Sequence, residues 1–176
     1  MVASPPDAGE ISQWREELRS SSPTGILNWA HRRFASRVAF ATALGLEDQV
    51  ITHFLAQDAI PIRIVTLDTG RLFPETLQLV ERTEEHFRLR IETFFPRTEE
   101  VEAMVRDHGI NLFYQSVELR QLCCRIRKIH PLARALTGMD AWVCGLRRRQ
   151  SVTRRDVYPV EWDASNGLVK INPLWN

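Results

Sequence analysis

The stretch QLCCRIRKIHPL, Gln121–Leu132, places two thiols side by side and follows them with three cations. Cations near a thiol lower its pKa and favour the thiolate, the form that attacks electrophiles and binds soft metals. Adjacent helical residues point about 100° apart. Cys123 therefore falls with the apolar stripe Leu119, Leu122 and Ile126, while Cys124 points away from it. Lys128, four residues after Cys124, shares its face, and Arg127 stands likewise to Cys123. Spacing alone leaves two readings open. One is a pair of thiolate ligands for an iron–sulfur centre, with cations offsetting the cluster's negative charge. The other is two packed small hydrophobes, since CC is not CxxC. Pro131 is expected to bend or end this helix.

Three further stretches carry polar residues where ligands bind in α/β proteins. TALGLED (Thr42–Asp48) is a glycine-containing turn into a helix, whose N-terminal N–H groups suit an anion. It lacks the lysine and spacing of a P-loop and is not GxGxxG. Its plainer reading is a strand–helix turn with Glu47 and Asp48 complementing the helix dipole. In LDTGRLFPET (Leu67–Thr76), Asp68 or Thr69 is placed to cap or to bind, and Gly70 admits close backbone approach. The alternative there is a capped loop. GLRRRQSVTRR (Gly145–Arg155) has five arginines in eleven residues, suited to phosphate or sulfate, against a plainer reading as a solvated basic edge. His31, His53, His86, His108 and His130 show no metal spacing.

The elements that must position these stretches follow an alternating pattern. DAGEISQWREELRS and SPTGILNWAHRRFA read as helices, the second with Ser22 as a cap. RVAFATA (Arg37–Ala43) reads as a buried strand and Leu46–Gln57 as a helix on its apolar spacing. Ile60–Leu67 is β-branched and strand-like. Pro74 suits the first turn of a helix over Pro74–Phe87. LRIETFF is a third strand, Val101–His108 and Val117–Leu136 are helices, and AWVCG is a fourth strand. VYPVEWD and LVKINP are fifth and sixth candidates. Strand and helix in alternation predict an α/β fold with a parallel sheet. Thr42–Asp48, Leu67–Thr76 and Gly145–Arg155 then all follow strands, where open sheets bind ligands.

Composition narrows the classes. Apolar residues make up 44% of the 176, enough for one core, and no apolar run approaches a membrane span. The N-terminus has no secretory signal pattern, and three cysteines do not make a disulfide framework, so a reducing cytoplasm is expected. Arg120–Arg155 holds ten Lys/Arg and one acid, a net of +9, which leaves −8 for the remainder of a chain at +1. That asymmetry points to a local anion site. A nucleic-acid module is disfavoured, because the basic segment has no interleaved aromatics for base stacking.

Together, LGLEDQVITH, LDTGRLFPET, CCRIRKIHPLARAL and GLRRRQSVTR resemble the assimilatory adenylyl-sulfate reductases of the phosphoadenylyl-sulfate reductase family, in order and in spacing. The similarity runs from about Ile26 to the end, with residues 1–25 as an extension and helix. It implies an adenine nucleotide alpha-hydrolase-like α/β domain. Carried over, Thr42, Ala43, Gly45, Glu47 and Asp48, then Leu67, Asp68, Thr69, Gly70 and Arg71, then Gly145, Arg147 and Arg148 hold the nucleotide. Cys123 and Cys124 supply two of the four ligands of a [4Fe–4S] cluster, and Lys128 lies between cluster and substrate sulfate. The CC pair points to adenylyl sulfate rather than its 3′-phosphorylated relative.

The implied reaction yields sulfite and AMP, with thioredoxin as reductant, for cysteine synthesis. In the family a thiolate in an ECGLH segment attacks the sulfate sulfur, AMP leaves, and thioredoxin releases sulfite. This chain departs from that pattern. Ala43 stands where serine is usual, with Thr42 as a substitute donor; Arg149 takes a usually acidic position; His130 replaces a common glutamate. The later CxxC and ECGLH are absent, and Cys144 lies in a strand, read as packed core. A C-terminally truncated reductase, inactive by itself, is therefore expected. The alternatives are a non-catalytic adenine-nucleotide-binding remnant, a phosphoadenylyl-sulfate reductase, and an ATP-pyrophosphatase-type enzyme, the last disfavoured because TALGLED has no lysine. No membrane or nucleic-acid partner is expected, and a homo-oligomer is left open.

Overall fold

A computed structural model of the chain describes residues 5–148 and 156–176. Helices α1 (Ala8–Glu17) and α2 (Pro23–Phe34) come first. The Ser22 hydroxyl caps α2 by accepting from Gly25 N–H at 3.1 Å, as the sequence predicts. Trp14, Trp29 and Phe34 meet edge to face, with ring centroids 5.6 to 6.4 Å apart, and lock α1 to α2.

The sheet follows. β1 is Val38–Ala41, β2 Arg63–Leu67, β3 Glu92–Phe94, β4 Ala141–Val143, β5 Val160–Asp163 and β6 Leu168–Ile171. Their order is β3-β2-β1-β4-β6-β5, parallel except for the antiparallel β5–β6 pair. β1 is buried on both faces, as a central parallel strand must be. Val38 and Phe40 enter the main core with Ile26, Leu27 and Ile51, while Ala39 faces Leu136 and Leu168.

Helices α3 (Leu46–Gln57) and α4 (Pro74–Phe87) match their expected bounds. The first two strands are shorter than expected, because Thr42 onward turns and Ile60–Ile62 only approaches the sheet. α5 (Thr98–His108) begins earlier than expected. The long helix expected over Val117–Leu136 is three pieces: α6 (Val117–Cys124), a π-turn (Arg125–Ile129) and α7 (His130–Ala135). Pro131 does not end it, since helix continues to Ala135. Proline has no N–H and its ring crowds the carbonyl four residues back. The widened turn accommodates this, with His130 N–H reaching Arg125 C=O five residues behind.

The connection order creates the site. From β1 the chain steps outward to β2 and β3, then returns to place β4 on the other side of β1. Loops leaving β1 and β4 therefore diverge, and a crevice opens at their carboxyl ends.

A candidate nucleotide cleft beside a cationic thiol chamber

The crevice is a cleft of about 320 Å³ floored by Ala41, Thr42, Val65 and Thr66, with Lys128, Leu132 and Trp142 along its side. The turn after β1 is tightly braced. Thr42 N–H donates to Val65 C=O at 2.9 Å, and Thr66 Oγ1 donates to Thr42 C=O at 2.9 Å. Thr42 Oγ1 accepts from Leu44 N–H at 2.9 Å. Asp48 Oδ2 accepts from Ala43 N–H at 2.8 Å and from Gly45 N–H at 3.3 Å. The N–H groups of the turn itself, at Ala43, Leu44 and Gly45, are thus taken by Thr42 and Asp48 from within it. Ala43 and Gly45 are exposed above it, and Glu47 is half-buried.

Asp48 is buried, and that burial pushes its carboxyl above the ordinary value near 3.8, against the two N–H bonds that pull it down. A raised folded-state pKa means that the native chain binds more protons than the unfolded chain above pH 4. Wild type is then expected to lose stability relative to Asp48→Asn as pH rises from about 4 through the folded pKa. Urea melts of both proteins across that range measure the difference. A difference that is flat or of opposite slope contradicts the assignment.

The loop after β2 closes on itself. Asp68 Oδ1 accepts from Gly70 N–H at 2.8 Å, and Gly70 has a φ of +67°, which glycine adopts freely. Neither Asp68 nor Thr69 caps α4, whose N-cap is Phe73. Leu67 and the buried Thr69 line the cleft. Arg71 turns outward, donating to Asn111 Oδ1 at 2.9 Å over the Phe113 ring.

Beyond Thr69 lies a second cavity, of about 590 Å³, holding Cys123 and Cys124. Cys123 packs with Met104, Leu112 and Ile126, as the helical stripe predicts, and Cys124 is half-buried. Arg71, Arg120, Arg127 and Lys128 line this chamber, and among the described residues no acidic side chain does. Thr69, Leu72 and Lys128 line both cavities, so Lys128 stands in the wall between them.

Spacing pairs Arg127 with Cys123 but does not foresee what Arg127 holds. Arg127 is 8% exposed, its Nη1 donates to Thr69 C=O at 2.7 Å, and its buried Nε has no partner among the described residues. A Cβ on Gly70 would meet Arg127 Nη1 at 3.1 Å, which explains glycine there twice over. Only the interval from Cys123 to Arg127 hinted at this; the π-turn that turns Arg127 inward has no sequence periodicity to betray it.

The thiol pair suits thiolate ligation, being adjacent, accessible from the chamber and surrounded by cations. The set is incomplete: among the described residues no group of three or more His, Cys, Asp or Glu gathers to hold a metal. Cys144 does not join it. It is buried at the end of β4, where burial pushes its thiol well up, so packing is its role.

At the third strand end, Gly145 lies against Asp48 and Glu47, and Arg147 Nε donates to Glu47 Oε1 at 2.7 Å. The structure thus joins the GLRR segment to the Thr42–Asp48 turn. Arg148 points elsewhere: Nε donates to Val157 C=O at 2.8 Å. Of the five arginines expected to bind an anion, Arg149, Arg154 and Arg155 lie outside the described residues, as do Gln150 and Ser151. His130 contacts Glu100 at 3.0 Å on α5.

Comparison with known proteins places these features in context. A family described as "Phosphoadenosine phosphosulfate reductase domain" matches residues 37–176. An adenosine 5′-phosphosulfate reductase of Allochromatium vinosum is 53% identical over 156 residues, covering 89% of this chain and 60% of that protein. One from Burkholderia cepacia is 47% identical over 138 residues, covering 78% of this chain and 55% of that protein. The chain thus spans little more than half the length of these relatives. Among solved structures, a phosphoadenylyl-sulfate reductase from Candida auris, in a phosphate complex, superposes with a TM-score of 0.84 at 27% identity, covering 100% of this chain and 83% of that one. An NH3-dependent NAD synthetase from Campylobacter jejuni, with a TM-score of 0.56 at 12% identity over 94% of this chain and 67% of that one, shares the fold alone. The fold is that of the adenine nucleotide alpha-hydrolase-like proteins, with a mostly parallel sheet.

Proposed function

We propose, from the premise that this chain belongs to the phosphoadenosine phosphosulfate reductase domain family, that it is the nucleotide-holding part of a thioredoxin-dependent adenylyl-sulfate reductase of sulfate assimilation. The substrate is adenylyl sulfate and the products are sulfite and AMP. One observation carries the reading: an apolar-floored cleft and a cationic, thiol-lined chamber share a wall made by Thr69, Leu72 and Lys128.

Each part then has a task. The cleft at the β1–β4 switch point takes the nucleotide, with the Thr42–Asp48 turn, the Leu67–Arg71 loop and Gly145–Arg147 around it. Lys128 meets the sulfate as a compact point charge. Arg127 holds the Thr69 carbonyl, fixing the distance between loop and cysteine helix. Cys123 and Cys124 are two of the four ligands for a [4Fe–4S] cluster. When bound, that cluster supplies an anionic iron–sulfur centre whose charge Arg127 and Lys128 offset. No helix among the described residues is long and apolar enough to cross a membrane, and the proposed setting is the cytoplasm.

Titration calorimetry of the 176-residue chain with AMP and with adenylyl sulfate tests the shared core of this reading. Binding of both, tighter for adenylyl sulfate, is the expected result. Absence of binding by either removes the nucleotide assignment altogether.

A further inference from the structure

Arg148 belongs to a stack that begins far from the cleft. Its guanidinium lies 4.4 Å from the Trp175 ring centroid and 5.4 Å from that of Tyr158. Its backbone N–H donates to Trp175 C=O at 3.1 Å. The Tyr158 ring also carries Arg15, whose guanidinium carbon is 4.1 Å from the centroid. Arg15 Nε donates to Val160 C=O at 2.9 Å, on the edge strand β5. Arg15 lies on α1, which precedes the 37–176 span shared with the family. Helix α1 is docked independently of Arg15, by the buried Ile11, Trp14 and Leu18.

Cation–π contacts are individually modest, but here they converge on one segment together with three hydrogen bonds to main-chain carbonyls. The same segment is held at its other end by Gly145 against Asp48 and by Arg147 on Glu47. Main-chain placement of Gly145–Arg147 is therefore set from both sides. The Nε of Arg148 and its guanidinium face are thus engaged away from the cleft, whose described lining does not include Arg148.

We propose that Arg148 is a positioning residue and not an anion ligand. Through the Arg15–Tyr158–Arg148–Trp175 stack it fixes Gly145–Arg147 against the Thr42–Asp48 turn. Helix α1, which precedes residues 37–176, thereby contributes to nucleotide binding. The inference rests on the cleft's assignment to an adenine nucleotide, and its test has one arm that does not.

That arm is the backbone amide spectrum of the ¹⁵N-labelled 176-residue chain. Gly145 and Arg147 amides are expected to shift in Tyr158→Leu and in Arg15→Ala, and to stay in place in Tyr158→Phe, which keeps the ring. Unmoved amides in both of the first two variants overturn the stack's role whatever the ligand. The second arm is calorimetry with AMP and adenylyl sulfate at two salt concentrations. Tyr158→Leu and Arg148→Ala are expected to weaken both ligands by the same factor, about tenfold, with the wild-type salt dependence; Arg15→Ala weakens both about threefold; Tyr158→Phe binds as wild type. A direct anion ligand behaves differently, because losing its charge reduces the salt dependence. Arg148→Ala that spares AMP, weakens adenylyl sulfate and flattens the salt response overturns the proposal while leaving the nucleotide reading intact. Wild-type failure to bind either ligand overturns the nucleotide reading and the contribution of α1 to it.

Discussion

Lys128→Ala is expected to weaken adenylyl sulfate by roughly 30-fold, about 2 kcal/mol, while AMP stays within about threefold of wild type. The asymmetry follows from position. Lys128 lines both cavities; in the proposed function it meets the sulfate, which AMP lacks. Truncating one partner of a charge pair at an interface costs about 2–5 kcal/mol. Lys128 is exposed in the free chain, so the lower end of that range applies. Lys128→Arg is expected to recover part of the loss, since charge is kept but the fork's geometry differs from a point charge. Calorimetry with both ligands reads the effect. Equal losses on AMP and adenylyl sulfate would show that Lys128 shapes the cleft without meeting the sulfate.

Gly145→Ala is expected to cost about 3 kcal/mol of stability and to lower nucleotide affinity at least about tenfold. The cause is space, since the backbone of Gly145 needs no special φ. An added Cβ would overlap the Asp48 carboxylate and meet Glu47 Cβ at 3.2 Å. Asp48 cannot swing away cheaply, because its Oδ2 holds the Ala43 and Gly45 N–H groups. Either those bonds break or the end of β4 lifts, and both alter the mouth of the cleft. A double variant separates the two contributions. If the overlap is the cause, Gly145→Ala costs much less in an Asp48→Ala background, a coupling visible in urea melts. Simple additivity of the two substitutions would refute the steric account.

The elements themselves were legible to within a few residues. Leu46–Gln57 and Pro74–Phe87 matched, because apolar spacing and a proline at the first turn are local signals. The Ser22 cap was legible for the same reason. Strand order was not. Nothing in VAFA or RIVTL says that β4 lies beside β1, or that β5 runs antiparallel to β6. Those choices depend on which buried faces match after the chain returns.

For the site, sequence determined the chemical inventory: paired thiols, a lysine four residues on, an Asp-Thr-Gly loop, and arginines after a strand. Motif order also identified the family, which the comparison with known proteins establishes. Tertiary structure decided how that inventory is spent. Asp48 fills its own turn, Arg127 turns inward to hold Thr69, and Arg148 leaves the cleft for a ring stack. Spacing measures only separation along a regular helix or strand, so it cannot register a π-turn that shifts the phase after Cys124. Nor can it show which of several cations finds a carbonyl or a ring nearby. Those partners come from segments 58 residues away for Arg127 and from α1 and the chain's last residues for the Tyr158 stack. Only packing brings them together, because burial makes an unpaired polar group costly and so selects the one arrangement that satisfies most of them.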